Sequence, residues 1–163
     1  MRESWRGPRV ITAVVVLLSA SAMASKPSRQ ISANSDPAVL ARSLQSKDAS
    51  EVAASAYLLG LKGAAAVPAI PRLVAVLGDD RPVIQSDYRS DAKTGARSTP
   101  GEEAAEALAH IGKPAVDPLI LALRASTNPV ARRNAAWALG QIDMEAHGPN
   151  AWSVPRPSEN QQD

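Results

Sequence analysis

Residues 135–142 have the sequence Ala135-Ala136-Trp137-Ala138-Leu139-Gly140-Gln141-Ile142, and two earlier segments repeat this pattern of small and apolar residues. The earlier copies are Ser55-Ala56-Tyr57-Leu58-Leu59-Gly60-Leu61 and Ala104-Ala105-Glu106-Ala107-Leu108-Ala109-His110-Ile111. Each of these two is followed by a second pattern, which begins Pro68-Ala69-Ile70-Pro71 in one case and Pro114-Ala115-Val116-Asp117-Pro118 in the other. Apolar residues at helical spacing predict amphipathic helices. Their recurrence in pairs predicts a stack of helix pairs that bury surface against one another.

Capping signals and periodicity predict an all-α domain of about six helices over residues 36–143. Asp36-Pro37 and Asn128-Pro129 have the order of an N-cap followed by proline in the first turn. Thr99 and Glu102 form a Thr-x-x-Glu capping box around Pro100. The predicted helices cover about residues 37–45, 49–61, 67–77, 99–112, 114–124 and 128–142.

The spacing of the copies predicts an insertion between the third and fourth helices. Ala135 follows Ala104 by 31 residues, whereas Ala104 follows Ser55 by 49. The extra residues form the polar stretch 81–98, in which only Val83, Ile84 and Tyr88 could anchor to a core. Long connections in compact domains are usually functional or disordered. We therefore expect a disordered or loosely packed loop here.

The N-terminus predicts export. Arg2, Arg6 and Arg9 precede an uncharged run from Val10 to Ser25 that contains Ala22-Met23-Ala24. A basic flank, a short apolar core and a small-x-small site are typical of a secretory signal peptide, here residues 1–24. The alternative is a retained membrane anchor, although the run is shorter than the roughly 20 apolar residues of a spanning helix. We expect a periplasmic or extracellular protein with no stable membrane span after signal removal, a polar leader at 25–35 and a disordered tail at 144–163.

Charge and composition exclude several classes of function. Without residues 1–24, the chain has equal numbers of basic and acidic residues, so the basic pI of about 9.2 comes from the export signal. Nucleic acid is therefore not an expected partner, since binding phosphates needs a clustered cationic surface. The chain has no cysteine and no phenylalanine. Thiol chemistry is excluded, and small aliphatic side chains favour tight helix packing over a large ligand cavity, which usually has aromatic walls.

The patterns "AAxALGxI" and "GxPAVxPLxxAL", followed by Asn-Pro-Val-Ala-Arg-Arg, resemble the HEAT-like repeats of the type found in phycobilisome lyases. The resemblance covers about residues 49–143. It implies a short right-handed α-solenoid of antiparallel helix pairs, whose second helices line a concave face that commonly binds other proteins. The candidate partner-binding residues are Arg72, Ala75, Leu121 and Arg124 on the second helices, with Tyr88 and Arg89 of the inserted stretch at one edge.

Two enzyme groups among HEAT-like proteins provide the alternative function. Iron-dependent hydroxylases of this group use His-Glu pairs as metal ligands, but Ile111 follows His110 here and Gly148 follows His147. We expect His110 to lie near a helix C-terminus instead. Bilin lyases act on a client cysteine in photosynthetic cytoplasm, which does not fit an exported chain. We expect no catalytic residue, metal or cofactor; the alternative is an enzyme subunit or cofactor-binding protein with its ligand between the first repeat and the inserted stretch.

Two features of the repeats leave alternatives open. Tyr57 and Trp137 occupy the same position in their copies, which suits either a packing position or a binding anchor. The third copy has no clear second helix, so its end is covered by the tail through Trp152 and Val154, is simply polar, or meets a second copy of the chain. The sequence as a whole predicts a non-catalytic protein-binding scaffold or assembly module of the bacterial envelope or extracellular space.

Overall fold

The computed structural model describes residues 31–147; the predicted signal peptide, residues 25–30 of the leader and residues 148–163 of the tail lie outside this range. The described part is mainly helical and has little sheet, which confirms the all-α prediction. The α-helices are α1 (Pro37–Ser43), α2 (Ala49–Lys62), α3 (Ile70–Val76), α4 (Pro100–Ile111), α5 (Val116–Ala125) and α6 (Pro129–His147).

Short polar side chains begin several of these helices, as the sequence predicts. The carboxylate of Asp36 accepts a 2.7 Å hydrogen bond from the amide two residues later, and the Asn128 side chain accepts one of 2.8 Å in the same way. The hydroxyl of Thr99 accepts a hydrogen bond from the Glu102 amide at 3.2 Å. These contacts satisfy amide groups that have no partner within the helix.

Two helices begin later than predicted, and one ends later. The chain forms 3₁₀ turns over Gly63–Ala69 and Lys113–Ala115, before α3 and α5 respectively. The prolines in these stretches lack the amide donors of a regular α-helical turn. This explains why a 3₁₀ turn, which is more tightly wound, precedes each of the two α-helices. The last helix, α6, continues to His147, beyond the predicted domain boundary at 143, since no glycine or proline interrupts it between Gly140 and Gly148.

The helices pack in two connected rows. In one row α2 contacts α4 and α4 contacts α6; in the other α3 contacts α5. The rows are joined because α3 packs on α4 and α5 packs on α6, and α1 lies against α2. The core is aliphatic, and its largest fully buried apolar side chains are Leu40, Val52, Leu59, Leu73, Leu77, Leu108 and Leu119.

The turns that follow α2 and α4 depend on the same backbone conformation. Gly63 ends α2 with a φ of 50°, and Gly112 ends α4 with a φ of 78°. This left-handed region is favoured by glycine, because it has no Cβ. The two joints therefore turn the chain from a first helix into a second one in equivalent ways.

The inserted stretch is folded, which corrects our expectation of a disordered or loose loop. Two-residue strands β1 (Val83–Ile84) and β2 (Arg97–Ser98) pair in antiparallel fashion, and a 3₁₀ turn covers Gln85–Asp87. Val83 is 4% exposed. The other contacts that hold this stretch are hydrogen bonds from Gln85 and Tyr88 to the buried carboxylate of Glu103 on α4. A prediction based on apolar residues alone does not detect them.

The continuous helical run Ala49–Val76 is long and apolar enough to cross a membrane, judged by length and composition alone. It contains α2, the 3₁₀ turn and α3, with Gly63 at its centre. Both α-helices contribute side chains to the core, among them Val52, Leu59 and Leu73. Core helices of this kind have the same apolar composition.

Candidate functional site

An open groove of about 810 Å³ lies between α3 and α5. We call it the α3/α5 groove. Its α3 side is formed by Ile70, Pro71, Val74 and Ala75, and its α5 side by Asp117, Pro118, Leu121, Ala122 and Ala125. Gly78, Ser126, Asn128 and Ala131 complete the lining.

Helical spacing brings these side chains to one surface. Ile70 and Val74, Pro71 and Ala75, and then Asp117, Leu121 and Ala125 each recur at intervals of four, so each set lies on one helix face. Leu121 is 66% exposed, the most exposed of the large apolar side chains among the described residues. A concave apolar surface with an exposed leucine is typical of a site that contacts another molecule.

The lining of the groove carries one ionisable side chain, the carboxylate of Asp117. The other residues that line the groove are apolar or uncharged. The arrangement is therefore suited to binding through apolar contact and shape.

Of the residues predicted for partner binding, Ala75 and Leu121 line the groove together. Arg124 is exposed in the last turn of α5 but is not part of the lining. Arg72 does not contribute to the groove either. Its Nη1 donates a 3.0 Å hydrogen bond to the backbone oxygen of Ala41, which connects α3 to α1.

Tyr88 and Arg89 lie elsewhere, in a polar cluster around Glu103 on α4. We call the side chains of Tyr57, Gln85, Tyr88, Arg89, Glu103 and Glu106 the Glu103 cluster. Glu103 is 1% exposed, and its Oε1 accepts hydrogen bonds from the Tyr88 hydroxyl at 2.8 Å and from Gln85 Nε2 at 3.0 Å. Burial and the hydrogen bond to Glu103 raise the pKa of Tyr88, so its phenol remains a neutral donor.

Arg89 joins the two ends of this cluster. Its Nη1 lies 3.1 Å from Glu106 Oε2 and 3.5 Å from Glu103 Oε2, and its guanidinium lies 4.4 Å from the centroid of the Tyr57 ring. Burial opposes the charge of Arg89, but the hydrogen bond to Asp91 and the charges of Glu106 and Glu103 together raise its pKa. Arg89 therefore remains a cation whose polar contacts lie within the chain.

The Glu103 cluster also occupies the place where the alternative function would put a cofactor. The rings of Tyr57, from the first repeat, and Tyr88, from the inserted stretch, have centroids 6.3 Å apart, and Arg89 lies over the former. His110 lies in the last turn of α4 as predicted and is exposed. Among the side chains that the structure describes, in residues 31–144, no group of three or more histidine, aspartate or glutamate residues could hold a metal ion.

Tyr57 and Trp137 differ in spite of their matching sequence positions. Tyr57 is half-buried under the inserted stretch, whereas Trp137 on α6 is 48% exposed. The packing interpretation fits Tyr57 better than Trp137.

Sequence reasoning missed Glu103 and several residues of the groove. In the sequence alone, Glu102, Glu103 and Glu106 form an acidic start to a helix, which the helix dipole is enough to explain. Its spacing from the buried residues Ala107 and Ile111 places it on the inward face of α4, and a carboxylate in such a stripe is a detectable signal. The groove residues Pro71, Asp117 and Ala125 could have been found by extending the four-residue spacing from Ala75 and Leu121.

No protein-family model, no curated protein and no solved structure matches this chain.

Proposed function

We propose that this chain is an exported, non-catalytic protein-binding module built as a short right-handed α-solenoid of HEAT-like helix pairs. It binds an α-helical segment of another protein in the α3/α5 groove. The observation that carries the proposal is the exposed Leu121 within a groove whose two sides are second helices of successive repeats.

Helix contacts support the solenoid arrangement. The first helices of the three sequence copies, α2, α4 and α6, contact one another in succession, and the second helices, α3 and α5, form their own row. In a repeat stack, each unit contacts its neighbours in this way. The groove then belongs to the row that the resemblance places on the concave side.

The composition of the groove supports a helical partner. Ala75, Gly78, Ala122 and Ala125 are small, so the backbone of a bound helix could approach closely, while Leu121 would pack between its side chains. Amphipathic helices bind in apolar grooves through residues spaced by three or four. Asp117 and Arg124, both exposed, are seven residues apart on α5, about 10 Å along the axis. A partner helix with a basic and an acidic residue at a matching spacing would complement them.

Export is supported by the sequence of residues 1–24. Mass measurement of the protein recovered from the native host would test it. A mature chain that begins at Ser25 is the expected result, and a chain that retains residues 1–24 in the cytoplasm would contradict it.

Leu121→Glu and Arg124→Glu test the binding site. Leu121→Glu places a charge in the centre of the groove and should abolish capture of the partner, whereas Arg124→Glu should weaken capture in a salt-dependent way. Leu61→Glu is the matched control, because Leu61 is 59% exposed and lies outside the groove. Arg72→Glu is not a useful probe, because it removes the hydrogen bond to α1.

A photo-crosslinking residue at position 121, compared with one at position 61, would identify the partner directly. We expect one envelope protein to be crosslinked from position 121 alone, at a segment that is helical. Crosslinking of the same proteins from both positions would contradict a specific site in the groove. Equal capture by wild type and Leu121→Glu would also contradict it.

A further inference from the structure

The third residues of the three sequence copies, Tyr57, Glu106 and Trp137, lie on successive helices of one row, α2, α4 and α6. Between the first two members of this row lies the guanidinium of Arg89. It covers the Tyr57 ring at 4.4 Å and pairs with Glu106 at 3.1 Å. The chain thus contains an arrangement of aromatic ring, guanidinium and carboxylate across two adjacent repeats.

The space between the next two helices of this row, α4 and α6, is also bordered by a carboxylate and an aromatic ring. Glu106 and Trp137 line one cleft of about 370 Å³ together with Ala109, His110 and Gln141. In the described part of the chain, a cation covers the Tyr57 ring, and no such contact is formed at Trp137. We propose that this Trp137 cleft binds a guanidinium group carried by the arginine side chain of a partner peptide.

The carboxylate of Glu106 can accept hydrogen bonds from a second guanidinium group in addition to that of Arg89. Arg89 contacts Oε2, and Oε1 makes no hydrogen bond to any residue in the described range. A carboxylate can accept several hydrogen bonds. Asp91, Glu103 and Glu106 all lie within 3.5 Å of Arg89, so three negative charges outweigh that guanidinium.

The exposed ring of Trp137 forms the other side of the proposed site, opposite the Glu106 carboxylate. Indole is the best aromatic face for a cation, and arginine stacks on it through a planar group. In the described part of the chain, Arg97 and Arg133 line an adjoining pocket that Trp137 and Glu106 also border, and there Arg133 lies 3.5 Å from Glu102. Neither lines the Trp137 cleft, whose polar groups are Glu106, His110 and Gln141.

The test uses a blocked Gly-Arg-Gly tripeptide and the full chain. Shifts of the backbone amides of Ala109 and Gln141 in ¹⁵N NMR spectra measure binding without depending on the indole signal. We expect saturable shifts with a Kd on the order of millimolar, as suits one small group. The same tripeptide with neutral citrulline in place of arginine should produce no saturable shift.

Variants separate this site from the α3/α5 groove. Trp137→Leu keeps apolar bulk but removes the aromatic face and should weaken binding of the arginine tripeptide at least about fivefold, and Trp137→Phe should weaken it less. Leu121→Glu should leave this affinity unchanged, because no residue lines both sites. Failure of either proposal is therefore distinguishable from failure of the other.

Absence of saturable shifts up to tens of millimolar peptide would overturn the proposal. Equal shifts with the citrulline tripeptide would overturn it as well, since they would show that charge is not recognised. Unchanged affinity in Trp137→Leu, with wild-type amide positions for Tyr88 and Arg89, would also overturn it, because the fold would then be intact.

Discussion

The side-chain amide of Asn134 in α6 donates a 2.9 Å hydrogen bond to the backbone oxygen of Leu77, just beyond the end of α3. Asn134 is 3% exposed and Leu77 is fully buried. Carbonyl groups at a helix C-terminus have no partner within the helix, so this one is satisfied by a residue 57 positions later in the chain. The contact connects α6, the helix that contains the third sequence copy, to the end of α3.

Replacing Asn134 with alanine should reduce the free energy of unfolding by about 2 kcal/mol, because the Leu77 carbonyl would remain buried without a partner. Urea unfolding monitored by circular dichroism measures the change. Ala136→Ser, at an exposed position on the same helix, should change stability by no more than about 0.5 kcal/mol. An equal loss in both variants would show that the hydrogen bond is not the cause.

Gly101, in the first turn of α4, lies against the same joint. A Cβ atom there would be 2.6 Å from the Leu77 oxygen and 2.9 Å from the Asp79 oxygen. Real Cβ atoms do not approach backbone oxygens this closely, so Gly101→Ala must displace α4 or the chain after α3. We expect a loss of about 2 to 3 kcal/mol in unfolding free energy.

Gly140→Ala is the matched comparison and should have the opposite sign. Gly140 is in α6, and a Cβ atom added there has no neighbour within 4 Å. Alanine in a helix is favoured over glycine by up to about 1 kcal/mol, so the variant should be more stable than wild type. If thermal unfolding shows that both alanine variants are stabilised, the close approach at Gly101 is not a real constraint.

The helices, and the starts of those with a side-chain cap, could be predicted from the sequence because their signals are local. The caps at Asp36 and Thr99 act on amides two or three residues away, and the apolar spacing within α2 or α4 spans a few turns. The candidate surface was predictable in part for the same reason, since Ala75 and Leu121 repeat their position in two similar helices.

The remaining features depend on pairs that are distant in the sequence. The bond from Asn134 to Leu77 crosses 57 residues, and that from Arg72 to Ala41 crosses 31. The inserted stretch folds because Tyr88 and Gln85 find the carboxylate of Glu103, a contact that no periodicity encodes. The hydrogen bond of Arg72 to α1 is a contact of this kind, and the sequence prediction for Arg72 did not include it.

Glu103→Gln tests whether the Glu103 cluster holds the inserted stretch in place. The substitution removes the negative charge that faces Arg89 and leaves a donor amide near another donor. We expect a loss of about 2 kcal/mol in unfolding free energy, within the range for hydrogen bonds to charged groups. Hydrogen exchange of amides in residues 85–96 should become faster.

Asp91→Asn is the control for this experiment. Asp91 is 62% exposed and lies 3.5 Å from the same arginine. Exposed ion pairs contribute little, so its loss should leave both the unfolding free energy and the hydrogen exchange nearly unchanged. Unchanged exchange in Glu103→Gln would show that the stretch is held by Val83 and the strand pair alone.

The ion pair between Asp79 and Arg81 should make the free energy of unfolding depend on pH in the acidic range. Arg81 Nη2 lies 2.6 Å from Asp79 Oδ2, and this hydrogen bond, against a smaller effect of burial, holds the Asp79 pKa below its ordinary value of 3.8. The stabilisation is thus complete above pH 3.8 and is lost as the pH falls through the lowered value. Asp79→Asn should remove up to about 1 kcal/mol at pH 6 and less at pH 2, as measured by urea unfolding. An equal difference between variant and wild type at both pH values would contradict the linkage.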